Sequence, residues 1–466
     1  MAGVAGGSSA INWVSPLVLP RAPRIDANRS FWALELPEVN QPLRASTDSD
    51  IVIIGGGLTG LSAAYYLRQR LPGRRVIVLE AKRCGNGASG RNGAMLLTST
   101  ADRYLIAGDD AAMDRRIHEM TVANIDRLRE LALATGIDPH LDLGGALHTE
   151  LGGAEGAGAD VGQSAVREAT ATAARLRDSG IPAEYWDQER TASAIGTRFY
   201  SGAIFNPLAG QVHPGRLVAM WKRAAEQAGA EIFEDTAVVR VEEGAVHTLR
   251  TQTGIVVRAP VLLLATNAYG RRLGYLGAAA AGVWDYMACT VPLTPAQWDS
   301  LGWQSAAPYD DAQTETYYLG VTRDRRVHIG GGPVDYLFND GTPDAHQQSA
   351  RHQALHATLA RLYPSLARIP FEFLWGGIVD MSLDSSPAIG RMGRHANIYY
   401  AIGYSGHGVN LTSVFGRISA DLMTGREAEW AWLPYLGRLP PYLPNEPFRW
   451  LGIQARLAAV RWSESR

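Results

Sequence analysis

The chain has 466 residues, a formal net charge of −2, 46% hydrophobic and 19% charged residues. These values fit a soluble globular protein of two or three lobes and exclude a global pull toward nucleic acid or an anionic membrane. Two cysteines, Cys84 and Cys289, exclude a disulfide framework and a cysteine-built metal cluster; no metal site is expected, and a reducing cytoplasm fits best. No basic stretch followed by an apolar core marks a secretory signal, and no window reaches the length of a membrane span. The basic residues are almost all arginine, with lysine only at Lys82 and Lys222.

In chain order, residues 1–47 are rich in Pro, Arg, Ser and Ala and read as an arm over the surface, anchored by Phe31 and Trp32. An apolar strand follows at Ile51–Ile54, then the turn Gly55-Gly56-Gly57-Leu58-Thr59-Gly60, a helix to Arg70, and a second strand ending at Glu80. Strand, G-x-G-x-x-G, helix, strand and acid make the dinucleotide-binding fingerprint in its full context. Gly55 permits the tight turn, Gly57 lets the backbone approach a pyrophosphate, and Gly60 lets the helix pack on the strand. Leu58 and Thr59 open a helix whose N–H groups and dipole favour phosphate. Glu80, with Ala81 beside it, is placed for a ribose.

Apolar spacing predicts a long helix over 111–135, and the Gly/Ala-rich run 152–162 reads as a loop. A helix is expected near 165–178 and another over 215–229, with strands at 238–242, near 254–257 and at 261–265. The last of these leads into Thr266-Asn267-Ala268-Tyr269. Alternating strands are expected at 286–292, 316–322 and 326–331, a helix over 345–362, and an apolar strand at 397–402. Gly403–Gly408 then leads into a helix over 410–423. The tail 448–462 mixes Trp450, Leu451 and Trp462 with arginines; it reads either as a helix docked on its own chain or as one resting on a membrane surface.

Four motifs together resemble the flavoprotein superfamily of D-amino-acid oxidase, glycine oxidase and sarcosine oxidase, nearest to the γ-glutamylputrescine oxidoreductase subgroup. They are Gly55–Glu80, the run Gly87–Ala94, Ala265–Tyr269, and Trp375-Gly376-Gly377 with Asp384, Pro387–Gly390 and Gly403–Gly408. The resemblance implies FAD as cofactor. It implies an α/β fold: a discontinuous Rossmann-type FAD-binding domain (48–100, 205–275, 373–430) with an α+β substrate domain on a mixed or antiparallel sheet (101–204, 276–372), plus the arm and a tail from 431. It implies cofactor contacts at Ala88, Ser89, Gly90, Arg91, Asn92, Gly93, Val238, Ala265, Thr266, Asn267, Tyr269, Gly377, Gly403, Ser405, Gly406, His407, Gly408 and Val409. Arg91, Asn92, His407, Asn410 and Tyr318 become candidates for catalysis, and Tyr286, Tyr317, Arg323 and Trp375 for the substrate wall. A helix N-terminus at Gly406–Gly408 suits the negative charge of a reduced flavin.

Departures from the family matter. Sarcosine oxidases hold FAD through a cysteine near the position of Ser385-Ser386, and other relatives through a histidine in the motif occupied by Arg91-Asn92; noncovalent FAD is therefore expected. The family's substrate-carboxylate lysine is replaced by Asn410, and no lysine follows residue 270. The expected activity is oxidation of an amine or amino acid, with oxygen or another electron acceptor as partner. A carrier-linked dehydrogenase, a flavoprotein for a larger natural product, and one acting on a tRNA-borne amine are the alternatives; the lack of a basic block argues against RNA.

Overall fold

Two large β-sheets organise the chain. The computed structural model describes residues 29–103, 110–151, 159–313, 315–339 and 341–464. In it, a six-stranded sheet has the order Ala388–Met392, Ile398–Ile402, Val261–Leu264, Ile51–Ile54, Val76–Leu79, Glu231–Phe233. Its neighbours are parallel except for the first pair. Parallel strands covered on both faces require continuous apolar runs, and Ile51–Ile54 and Val76–Leu79 are buried at every position.

Alternate residues of these strands go to different cores. Ile51, Ile53, Val76 and Val78 pack with helices Leu58–Arg70, Ala111–Thr135, Pro214–Gln227 and Gly408–Met423. Val52, Ile54, Ile77 and Leu79 pack with a four-stranded sheet that includes Val238–Glu242 and His247–Thr251. Helices Leu58–Arg70 and Gly408–Met423 touch at backbone distance: a Cβ on Gly416 would lie 2.6 Å from Thr59 O and 1.8 Å from Ser62 Oγ.

The second sheet has eight strands in the order Phe371–Met381, Ala281–Thr290, Val327–Gly331, Tyr317–Val321, Tyr309–Asp311, Ala146–Glu150, Gly202–Asn206, Glu184–Asp187. All pairs are antiparallel except Tyr309–Asp311 with Ala146–Glu150. One face carries Leu147, Trp284, Tyr286, Tyr309, Leu319 and Ile329, packed with Leu355 and Leu359 of helix Ala345–Leu362. By the period of two, the other face carries His148, Asp285, Asp310, Tyr318 and His328.

Two expectations change. Strand Phe371–Met381 pairs with Ala281–Thr290, so the boundary expected at 373 cuts through an edge strand of the eight-stranded sheet. Gly377, expected as a cofactor contact, lets this strand lie close to Arg91: a Cβ there would be 3.2 Å from Arg91 Cβ. The described part of the arm is anchored by Phe31 and Trp32, both buried. Trp32 Nε1 donates to Asn92 O at 2.8 Å and Ser30 Oγ to Gly90 O at 2.7 Å. Finally, helix Ala159–Asp178 begins inside the run expected to be loop, residues 152–158 of which lie outside the described residues.

The tail forms the helix Phe448–Glu464. Trp450 and Ile453 pack against a cluster containing Val283 and Tyr336, and Arg461 Nε pairs with Glu315 at 3.2 Å. Phe448, Leu451 and Trp462 stay exposed on its outer side. Among the described residues no helix is long and apolar enough to cross a membrane.

Candidate active site

A cleft holding about 1350 Å³ of empty space, part of it open to solvent, runs across the ends of the parallel strands. Four chain segments meet in it. The first glycine turn contributes Gly55, Gly57, Leu58 and Thr59, and the following acid Glu80 and Ala81. The second motif contributes Ala88, Ser89 and Asn92; the third, Ala265, Thr266, Asn267 and Tyr269; the fourth, Gly406, Gly408 and Val409. Val238 lines it as well.

The turn closes because Gly55 has φ +111°, and a Cβ there would lie 2.3 Å from Ala265 O. A Cβ on Gly60 would be 1.9 Å from Gly55 O, so the helix can begin this close only on glycine. The motifs are bonded to one another. Leu58 N donates to Ser89 Oγ at 3.0 Å, and the Thr59 and Tyr404 hydroxyls are 2.8 Å apart. Glu80 accepts from Gly56 N at 2.7 Å and Lys82 N at 3.0 Å. Burial pushes its carboxyl above the usual range, against the pull of those two N–H groups.

Helices Leu58–Arg70 and Gly408–Met423 both present their N-terminal residues to the cleft. A Cβ on Gly87 or Gly406, both lining residues, would meet no protein atom within 4 Å. The walls thus leave an open cradle between two electropositive helix ends. This suits an extended group with phosphates and an anion-stabilised ring, so the residues fit a flavin dinucleotide. Among the described residues no group of three or more His, Cys, Asp or Glu could hold a metal ion.

Residues 50–422 match the profile of the family described as FAD dependent oxidoreductase, abbreviated DAO. The chain belongs to this family. This FAD-dependent oxidoreductase is 28% identical over 389 residues to γ-glutamylputrescine oxidoreductase of Escherichia coli K12, covering 82% of this chain and 85% of that protein. It is 24% identical over 395 residues to glycine oxidase of Geobacillus kaustophilus, covering 83% and 96%. The crystal structure of that glycine oxidase superposes with a TM-score of 0.70 at 21% identity, over 84% of this chain and 98% of the other. The solved structure of L-proline dehydrogenase from P. horikoshii has the same fold, with a TM-score of 0.65, 21% identity and coverage of 82% and 94%.

Several residues named from the sequence stand behind the cleft wall of this FAD-dependent oxidoreductase. Arg91 is buried, its Nη1 donating to Gly376 O at 2.9 Å and Nε to Asn86 O at 2.7 Å, while its carbonyl accepts from Trp375 Nε1 at 3.0 Å. Arg91 and Trp375 thus bind the second motif to the edge strand, and Trp375 belongs to a buried cluster with Trp32 and Met287. Asn92 Nδ2 donates to Ala88 O and Ser89 O, so its amide shapes the loop while the residue lines the cleft. Gly90, Gly93, Gly377, Gly403 and Ser405 support the lining without belonging to it. Gly90 approaches Gly85 O, and Ser405 Oγ donates to Gly403 O at 3.2 Å.

Asn410 is corrected most. Its Nδ2 donates to Leu97 O and Thr121 O, both at 3.0 Å, and its Oδ1 accepts from Asn124 Nδ2 at 2.8 Å. The side chain is nearly fully buried and its amide is spent on holding helix Gly408–Met423 to its neighbours. The family lysine position therefore faces inward here. Arg323 pairs with Asp138 and Asp142, both at 2.8 Å, away from the lining residues. Tyr286 faces the packed side of the sheet, where its hydroxyl donates to Asp335 Oδ2 at 2.8 Å; Tyr317 packs on that side too.

Tyr318 is on the side facing the second motif. A Cβ on Gly93 would lie 2.4 Å from its ring, and its hydroxyl donates to Asp285 Oδ2 at 2.7 Å. Burial pushes the Asp285 carboxyl up, opposed by the Tyr318 hydroxyl. His407 caps helix Gly408–Met423 from between two lining glycines, and burial pushes its imidazole below the ordinary range.

Sequence reasoning missed Asp380 and Arg272, both lining the cleft. Asp380 accepts from Gly403 N at 2.7 Å and Tyr404 N at 3.4 Å, and burial pushes it up to about 7. Its one signal in the sequence is an acid that ends the uncharged run Phe373–Val379. Arg272, near Tyr269, is lost among the many arginines.

Proposed function

We propose that this protein oxidises the C–N bond of an amine or amino acid with noncovalently held FAD. When bound, FAD supplies the two-electron acceptor for hydride from the carbon next to nitrogen; the resulting imine hydrolyses in water, and oxygen or another acceptor takes the electrons. The observation that carries the reading is the meeting of two glycine-opened helix N-termini with Glu80, the second motif and Ala265–Tyr269 at one cleft.

In this reading the turn Gly55–Gly60 binds the pyrophosphate, Glu80 the ribose and the Val238 backbone the adenine. Asn92 and Gly403–Val409 hold the flavin ring end, and Asp380 fixes the Gly403 turn through its two N–H bonds. Tyr318, held by Asp285, orients the substrate and helps exclude water; positioning then supplies most of the rate when the amine arrives unprotonated. Residues around the six-stranded sheet form the cofactor domain and those around the eight-stranded sheet the substrate domain, in a cytoplasmic enzyme.

The test is anaerobic mixing of the yellow protein with a panel of amines and amino acids. Flavin bleaching by members of the panel is expected, and no bleaching by any would overturn the reading. Peroxide on admitting air identifies an oxidase, its absence a dehydrogenase. Release of all flavin on denaturation is the outcome expected of noncovalent binding.

A further inference from the structure

We propose that the outer face of helix Phe448–Glu464 docks this protein on the surface of an anionic phospholipid bilayer. The inference stands apart from the amine-oxidising reading above and adds a partner surface. By helical periodicity, Trp450, Ile453, Leu457 and Val460 share one side of the helix, and Phe448, Leu451, Ala455, Ala459 and Trp462 share the opposite side. The helix thus carries two apolar stripes, one of which is used inside the chain.

The inner stripe seats the helix. Trp450 and Ile453 pack on Val283, Tyr336, Val379 and Met381. Gln454 Nε2 donates to Tyr336 O at 2.8 Å, and Arg461 donates to Val334 O at 2.9 Å and pairs with Glu315 at 3.2 Å. The helix is therefore held in place before any partner arrives, and docking costs no folding of it.

A surface helix seated in this way ordinarily turns polar and charged side chains to water. Here the outer side presents Phe448 at 69%, Leu451 at 53% and Trp462 at 60% exposure, with the small exposed residues Ala455 and Ala459 between them. The stripe from Phe448 to Trp462 runs about 21 Å along the axis. Phe338 adds another ring, 56% exposed, at the N-terminal end, where Asn339 N donates to Glu446 Oε1 at 3.3 Å. Clustered exposed side chains of this size mark a face that something covers.

Charge chooses what covers it. Arg456 is exposed and flanks the stripe at its middle. The helix has no acid before its last residue, Glu464, and the acids bonded to it, Glu315 and Glu446, have side chains only 9% exposed. The outer side thus joins an apolar stripe to a positive edge. A second copy packed antiparallel on this stripe would bring two Arg456 guanidiniums together, a like-charge contact. A bilayer suits both features: Phe448, Leu451 and Trp462 enter the boundary between headgroups and acyl chains, and Arg456 reaches lipid phosphates. The net charge of −2 gives no long-range attraction, so the contact is local to this helix.

The experiment sediments the full-length flavoprotein with vesicles of phosphatidylcholine mixed with phosphatidylglycerol, or of phosphatidylcholine alone. Binding to the mixed vesicles is expected, about fivefold weaker on phosphatidylcholine alone. Leu451→Ser/Trp462→Ser should lower binding about tenfold or more, at the flavin content and Tm of the parent. Phe448→Ser is the second variant should the double variant fail to fold, with a loss in the same direction. Arg456→Glu should weaken binding to the mixed vesicles and leave binding to phosphatidylcholine unchanged. Brominated acyl chains should quench the tryptophan emission of the parent, and quench Trp462→Phe less. No binding of the parent to either vesicle, or parental binding by both serine variants, overturns the proposal. So does a dimer in vesicle-free solution that the double variant splits, since the face would then belong to a second copy.

Discussion

Glu80 and Asp380 are buried carboxylates at the cofactor cleft, and each spends lone pairs on two backbone N–H groups of a turn. Each therefore shapes a loop in addition to any contact with cofactor. Removing Glu80 orphans the N–H groups of Gly56 and Lys82 as well as the ribose contact, a cost of about 1–3 kcal/mol. Glu80→Ala should keep the far-UV dichroism of the parent but lose FAD on gel filtration, with Kd raised about tenfold or more.

Asp380 makes a pH-dependent contribution whose sign can be worked out. Its carboxyl moves from an ordinary 3.8 up to about 7 in the fold. The folded chain thus keeps a proton that the unfolded chain gives up. The associated stability is complete below about pH 4 and is lost as pH rises to about 7. Asp380→Asn removes that dependence. The Tm of the variant minus that of the parent should become more favourable by a few degrees between about pH 5 and pH 8. A pH-independent difference would mean that Asp380 ionises normally in the fold.

At the scale of elements, helix Gly408–Met423 is fixed on two sides: by the close approach of Gly416 to the Ser62 hydroxyl and Thr59 O, and by the amide of Asn410. Asn410→Lys restores the residue type of sarcosine oxidases, yet here the ammonium would be buried among Leu97 O, Thr121 O and Asn124. We expect a Tm lowered by several degrees or more and no bleaching by N-methylglycine; a stable variant that oxidises it would show that the helix can turn its face to the cleft. Gly416→Val must push apart two helices whose N-termini both line the cleft, and should yield protein that is insoluble or free of flavin.

The elements themselves are legible in the sequence because their signals are local. Helix Ala111–Thr135 shows its apolar spacing and ends on Gly136 at φ +71°, and Ala345–Leu362 opens with the capping box of Asp344 and Gln347. The glycine turns are legible for the same reason. What escapes is pairing between distant segments. Arg91 and Gly376 are 285 positions apart, and nothing in either segment reveals that a guanidinium there satisfies a carbonyl rather than a ligand. His148 and Asp310 become neighbours only through a register between strands, which composition and spacing do not encode.

For the whole molecule, the arm and the two sheets meet around the second motif. Trp32 and Ser30 bind its carbonyls, and Trp375 binds it from the other sheet. Farther along the arm, Asn40 Nδ2 donates to Glu226 Oε1 at 2.8 Å, and Lys222 Nζ pairs with Glu234 at 2.6 Å beside it. Removing residues 1–40 should therefore reduce flavin retention and make the Gly87–Ala94 run more open to protease, measured by flavin content and limited proteolysis. A truncated protein with full flavin and unchanged cleavage would show that the arm is dispensable.

The strand order of the parallel sheet also has a consequence for how the protein is made. Ile51–Ile54 emerges early from the ribosome, but its neighbour on one side is Val261–Leu264, which is itself flanked by Ile398–Ile402. The edge of the nucleotide fold is thus left exposed until some 350 further residues have been synthesised. During that interval the nascent chain carries an unpaired apolar edge that invites mispairing. Flavin supplied during expression should then raise the soluble yield, since a ligand of the finished sheet stabilises only the folded chain.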